Sequence, residues 1–341
     1  MFRLLLLTCL ITLATSAQAE IKKWQDEKGR WHFADDPAAK LNARQNNSAS
    51  EPTAQNKETS RPPEAKTSNA IALNKTAHGN YYLYKGRNAA RTLKILVLAH
   101  GMFSERKTEF IAAQQMLEPW INFADGQGLT LVAPVFDNAA FAVTQKASGD
   151  GGYRGLFGRD MPADEYLHEI IAEFQSRNRE YDGRFYLVGH SAGAQFTNRY
   201  LIRHASRVIA AAYSAPAWLA FPDKNLKWPL GMGRRTYSQN WEGRSVDQKI
   251  DIQPSPDWWR SAAAVPSLLI VGDQDTTPIR HVDNIGGDNH VLRAQYWVNS
   301  MQEFAKNSGV RCNAQFKLVP NVGHDYKKLV PDMQQFIKSY L

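Results

Sequence analysis

Five consecutive residues carry the clearest chemical signal in this chain: Gly189-His190-Ser191-Ala192-Gly193. A serine hydroxyl is a weak nucleophile until a neighbouring base takes its proton. The pentapeptide directly follows the apolar run Phe185-Tyr186-Leu187-Val188 and directly precedes a helical pattern. A tight strand-to-helix turn at that place pushes Ser191 out above a sheet, at the positive end of a helix. The flanking glycines leave room for neighbouring backbone to approach. A glycine-rich turn with no chemistry has the same five letters, so the weight rests on the strand before and the helix after.

Such a serine needs a base and an acid that orients it. In strand–turn–helix sites of this kind the chain order is serine, acid, histidine. The acid is expected at the C-terminal end of the strand Pro266 to Val271, in the turn Gly272-Asp273-Gln274-Asp275. Asp275 is preferred, and Asp273 is expected to brace the turn through an Asx hydrogen bond. Three histidines follow: His281, His290 and His324. His281 comes six residues after the acid and His290 opens a helix, so both are expected to cap or to face solvent. His324 lies in the loop that leaves the last strand, within Pro320-Asn321-Val322-Gly323-His324, and is the expected base.

The negative oxygen formed when a serine attacks a carbonyl needs two backbone N–H groups aimed at it. Ala192, next to the nucleophile, is expected to supply one; the other is expected from the loop His100-Gly101-Met102-Phe103, after the strand Leu93 to Ala99. Taken together, strand-His-Gly, Gly-x-Ser-x-Gly, strand-Gly-x-x-Asp and Gly-His resemble the α/β-hydrolase superfamily over residues 80 to 341. That resemblance implies an α/β-hydrolase fold, with a mostly parallel sheet and helices on both faces. It implies Met102 as the second oxyanion donor, with Phe103 the nearby rival. It also implies cleavage of carboxylic esters through an acyl-enzyme, with no cofactor. No His, Cys and Asp cluster has the spacing of metal ligands along the chain, so no metal is expected.

The elements that must position these groups read as strands alternating with helices. Strands are expected at 93–99, 129–135, 185–188, 208–213, 267–271 and 315–319. Helices are expected at 109–123, 163–177, 192–203 and 292–306, with a last amphipathic helix closing the chain. Short apolar strands between helices mean a mostly parallel sheet covered on both faces. Residues 217–264 form an aromatic insertion before the acid-bearing strand, containing Trp218, Phe221, Trp228, Tyr237, Trp241, Trp258 and Trp259. It suits a cap or pocket wall over the nucleophile, and equally the packing of an irregular segment onto the sheet. The glycine-rich loop Ser148 to Gly155 suits a mobile element near the site or plain turns.

The N-terminus has Arg3, an apolar run from Leu4 to Leu13, and Ala17-Gln18-Ala19. This is the layout of a secretory signal peptide over 1–19, and the apolar run is too short to span a membrane. It predicts an exported protein, periplasmic or secreted, without stable membrane insertion. Cys9 would leave with the signal and Cys312 would remain alone, so no internal disulfide is expected. Residues 20–37 read as a small hairpin with an aromatic face and resemble the short module of unknown function that follows signal peptides in many proteobacterial envelope proteins. Residues 38–78 are polar and proline-containing, the composition of a flexible linker to a catalytic domain at 79–341.

A net charge of +8 is spread along the chain without a basic run or interleaved aromatics, so nucleic acid is not an expected partner. The expected partner is a small or polymeric ester; the oligomeric state is not legible. The motif set and export signal resemble polyhydroxybutyrate depolymerases and feruloyl esterases. Lipases, small-ester carboxylesterases and peptidases share the motifs, and a lid helix for lipid surfaces is not evident. The reading from a different class is a non-catalytic envelope protein that binds a ligand or partner on the same scaffold.

Overall fold

The computed structural model describes residues 22–25, 31–34, 70–102, 108–141, 151–241, 244–279 and 285–341, with backbone alone at 22–25, 31–34 and 237–250. The chain divides into two compact units, Met1–Lys66 and Thr67–Leu341. In the first, β1 (Lys22–Gln25) and β2 (Trp31–Ala34) pair antiparallel, with Trp24 opposite His32. The expected signal at 1–19 and most of the expected linker lie outside the described residues.

The second unit starts earlier than the composition implied. β3 (Ala72–Lys75) pairs antiparallel with β4 (Asn80–Lys85), so the segment assigned to the linker up to 78 in fact contributes a sheet edge. An edge strand has one solvated side and tolerates a polar sequence, which is why composition hid it. There follow β5 (Lys94–Ala99), α1 (Glu109–Leu117), α2 (Ile121–Gln127), β6 (Leu129–Val135), α3 (Ala163–Arg177), β7 (Phe185–His190) and α4 (Ala192–Arg203). The remainder is β8 (Val208–Ser214), β9 (Arg235–Trp241), β10 (Arg244–Ile252), α5 (Pro256–Ala264), β11 (Ser267–Gly272), α6 (His290–Asn307), β12 (Ala314–Val319) and α7 (Tyr326–Lys338). The single helix expected over 109–123 is broken by a 3-10 turn at Glu118–Trp120, where Pro119 lacks the N–H that an α-helix needs. Thr108 caps its first half by accepting from the Ile111 N–H at 3.3 Å.

Eight strands form one sheet in the order β12-β11-β8-β7-β5-β6-β4-β3. The pairs from β12 to β6 are parallel, and β4 and β3 add an antiparallel edge. Side chains of the central strands alternate between two cores, as the pleat requires. Ile95, Val97, Phe185, Leu187, Leu269 and Val271 enter the core under α3, α4, α5 and α6. Leu96, Leu98, Tyr186, Val188, Leu268 and Ile270 enter the other, under α1, α2 and α7. Strands buried on both faces explain the near-continuous apolar runs in the sequence.

The aromatic insertion divides its roles. Phe221, Trp228 and Trp259 are buried in the first of these cores, and Trp218 is buried with the Arg293 guanidinium over its ring, so these rings anchor the segment to the domain, with Phe221 also lining a groove against α6. The Trp259 and Trp297 indole N–H groups both donate to Ala220 O, at 3.3 and 2.8 Å, fixing this segment to α6. β9 and β10 make a separate antiparallel hairpin with a register shift between Val246 and Lys249.

Candidate active site

Ser191 occupies the one-residue turn between β7 and α4, with φ 53 and ψ −114. A non-glycine residue rarely adopts positive φ, and the surrounding structure must hold it there. Two glycines and one hydrogen bond do so. A Cβ on Gly189 would stand 2.3 Å from Gly193 O, and a Cβ on Gly193 would stand 2.0 Å from Ala99 O. The Ser191 N–H donates to Ser214 O at 2.8 Å across the ends of β7 and β8. The serine side chain does not cap α4, which leaves its hydroxyl out of helix bonding.

Asp275 and His324 meet. His324 Nδ1 lies 2.7 Å from Asp275 Oδ2, and Asp275 is 3% exposed while the imidazole is 39% exposed. The two loops are held together by backbone: Gln274 N–H donates to Val322 O at 2.9 Å and Asp273 N–H to Val319 O at 2.9 Å. A Cβ on Gly272 would stand 2.0 Å from Val322 O, so only glycine lets the acid's turn lie on the histidine's loop. Burial alone would push the Asp275 carboxyl up, but the close contacts and charge of His290 and His324 outweigh it and hold the group well below the usual carboxylate range. Asp275 is therefore ionised beside the imidazole.

The structure corrects the sequence on His290 and Asp273. His290, the first residue of α6, neither faces solvent nor merely opens the helix: its Nδ1 lies 3.0 Å from Asp275 Oδ1, the oxygen His324 does not use. That nitrogen is buried and its ring is not aligned for a linear N–H···O bond, so the contact is one of proximity and charge. Asp273 Oδ1 is buried with no partner, so the expected bracing bond is not made through that oxygen. His281 and Phe103 lie outside the described residues.

His324 sits between two other imidazoles, with ring centroids 4.8 Å from His190 and 4.8 Å from His290. Because His190 is bonded to Ser191 through the chain, this contact places the expected base beside the nucleophile's turn. His190 is anchored by a 2.9 Å contact between Nδ1 and Ser214 Oγ. Burial, then the charge of His324, pushes its pKa down to about 3, so it stays neutral. Tyr326, at the start of α7, holds the same face: its hydroxyl accepts from the Trp120 indole at 2.7 Å and donates to Met116 O at 2.9 Å. None of these supporting contacts carries a sequence signal beyond the x of Gly-x-Ser-x-Gly.

The expected oxyanion donors lie at two places. Ala192 is buried at the first position of α4. Gly101 packs against the nucleophile, since a Cβ there would stand 3.4 Å from Ser191 Cβ. His100 is fully buried, and its Nδ1 lies 2.8 Å from Gly101 O while Nε2 accepts from the Phe136 N–H at 3.1 Å. Those partners require the proton on Nδ1, and burial pushes the pKa down to about 4. A planar trans peptide points its C=O and N–H oppositely. Pinning Gly101 O on His100 therefore turns the Met102 N–H away from the ring, and that N–H has no acceptor among the described residues. The Tyr153 hydroxyl, donating to His100 O at 2.9 Å, fixes the loop from the other side and gives part of the glycine-rich segment a structural role.

A groove of about 1210 Å³ lies between the 221–232 segment and α6, lined by Phe221, Leu226, Met232, Leu292 and Tyr296. Ser191, Asp275 and His324 are not among the residues that line this groove.

An eight-stranded, mostly parallel sheet with helices on both faces and a serine at the β7–α4 turn defines the α/β-hydrolase fold. Solved structures agree. LpqC, a poly(3-hydroxybutyrate) depolymerase from Bordetella parapertussis, superposes with a TM-score of 0.59 at 19% identity, covering 79% of this chain and 90% of its own. Poly(aspartic acid) hydrolase-1 from Sphingomonas sp. KT-1 gives 0.60 at 14% identity, covering 78% and 97%. At these identities the likeness is one of fold. Residues 6–70 match a domain of unknown function, DUF4124, in line with the N-terminal resemblance and extending beyond the hairpin on both sides. No curated protein matches the sequence. Among the described residues no helix is long and apolar enough to cross a membrane.

Proposed function

We propose that this chain is an exported serine hydrolase that cleaves carboxylic esters, with Ser191 as nucleophile, His324 as base and Asp275 as the orienting acid. The observation that carries the reading is the buried Asp275 carboxylate 2.7 Å from His324 Nδ1, beside a serine held at φ 53. The carboxylate fixes the proton of His324 on Nδ1, which leaves Nε2 free to accept the serine proton. As the hydroxyl attacks, the new oxyanion is met by the N–H groups of Ala192 and Met102. His324 then delivers its proton to the leaving alcohol, and water repeats the sequence on the acyl-serine. The apolar run and Ala-x-Ala at the N-terminus support export.

The test is labelling of the purified protein with a fluorophosphonate probe, followed by hydrolysis of a panel of p-nitrophenyl esters. The wild type is expected to label, Ser191→Ala not at all, and Asp275→Asn to lose about three to four orders of magnitude in kcat through the wrong imidazole tautomer. An unlabelled, folded wild type that also fails to hydrolyse a small activated ester overturns the reading in favour of a binding protein.

A further inference from the structure

One feature of the site is surplus to the reaction: His290. A serine triad needs one imidazole on its carboxylate, and here a second, from a different element, reaches the other oxygen. His290 Nδ1 and His324 Nδ1 lie 3.0 and 2.7 Å from Asp275, and ligand atoms of all three residues lie within 4.8 Å of one another. Donor atoms around a tetrahedral zinc at ~2.1 Å are about 3.4 Å apart, so the spacings straddle that value. Two imidazoles and one carboxylate, with a fourth position left open, are a donor set that zinc takes in proteins. The His290 nitrogen is buried without an aligned partner, 3.0 Å from an Asp275 oxygen that His324 does not use. A cation between them would satisfy both.

We propose that Asp275, His290 and His324 form a binding site for a borderline-soft divalent cation, zinc above all, and that its occupation silences the hydrolase. Imidazole ligands select Zn²⁺, Ni²⁺ or Cu²⁺ over Mg²⁺ and Ca²⁺, which prefer oxygen. Only a small movement is needed to close the site, because Asp275 and His290 are fixed by β11 and α6 whereas the His324 ring is 39% exposed on a loop. Silencing, which rests on the triad assignment above, follows from the tautomer. A cation on His324 Nδ1 takes the lone pair there, the proton of Nδ1 moves to Nε2, and Nε2 no longer accepts the serine proton. The site thus competes with catalysis for a single imidazole. The reaction is off while the cation is bound and restored when it leaves.

The deciding experiment is calorimetric titration of the tag-free full chain carrying Ser191→Ala with zinc chloride, in chelator-stripped buffer. Ser191→Ala keeps every proposed ligand and cannot turn over, so the measurement is independent of activity. One zinc per chain is expected, with no binding heat from magnesium or calcium. Adding His290→Gln is expected to weaken zinc binding at least tenfold, the scale on which metal sites lose affinity even when only a supporting residue is changed. Folding of each variant is checked by circular dichroism. If His290→Gln does not fold, His324→Gln, on a partly exposed loop, is used and the same loss is expected. Absence of zinc binding by the folded protein overturns the proposal, as does an affinity that stays within twofold in the folded histidine variant. In parallel, zinc is expected to inhibit ester hydrolysis by the wild type and EDTA to restore it. A protein with no hydrolysis at all refutes the triad, while calorimetry still decides the site.

Discussion

Acid should unfold this protein well before its carboxylates alone would. His100, fully buried, and His190, partly buried, are both uncharged, with pKa values pushed down to about 4 and about 3. In the unfolded chain each returns to ~6.5. Between those values the unfolded state binds protons that the native state refuses, so stability falls as pH falls and is full only above ~6.5. Asp275 acts in a different window, because its carboxyl is held below the ordinary value and its contribution persists until the pH drops below ~3.8. At about pH 4.5 each histidine has cost roughly 2.5 kcal/mol, about 5 kcal/mol together. That equals the lower end of a domain's whole stability, ~5–15 kcal/mol. His168, also lowered by burial, adds in the same direction. The assay is urea unfolding followed by tryptophan fluorescence at about pH 7 and about pH 4.5, for the wild type and His190→Gln. A glutamine at 190 can still bond Ser214 but does not titrate, so the variant should lose about 2.5 kcal/mol less than the wild type across that interval. Equal losses in the two proteins, or a wild-type loss under ~1 kcal/mol, refute the argument.

Two glycines near the serine should respond oppositely to the same added methyl. Gly193→Ala puts carbon 2.0 Å from Ala99 O and 2.6 Å from His100 O, both backbone, so the elbow must open and soluble expression or melting temperature should fall sharply. Gly101→Ala meets nothing closer than 3.3 Å, so the fold should survive with a Tm within a few degrees of wild type, while the methyl beside Ser191 lowers kcat/KM. His100→Leu frees Gly101 O and orphans the buried Phe136 N–H. Steady-state kinetics should then show kcat reduced about 10²-fold with little change in KM, as for a lost oxyanion donor.

Where the geometry is local in the chain, residue order alone is enough to read it. The elbow is legible because Phe185 to Arg203 writes strand, turn and helix consecutively, and the glycines at 189 and 193 are required by contacts within that unit and its neighbour β5. The parallel sheet is legible because strands buried on both faces are apolar over their length, as at Ile95 to Ala99 in β5 and Leu268 to Val271 in β11. The pairing of Asp275 with His324 was read from order and loop position, and the fold brings these residues, 49 apart in the chain, to 2.7 Å. What escaped was decided by packing at a distance. β3 is a sheet edge whose polar residues look like linker until a partner strand is present. The aromatic insertion has the composition of either a cap or a core, and only the placement of Trp228 and Trp259 beneath α4 and α6 separates the two. His290 has no ligand spacing to Asp275 or His324 along the chain, because the distance between side chains on different elements is set by how β11, α6 and the loop after β12 stack, not by counting residues between them.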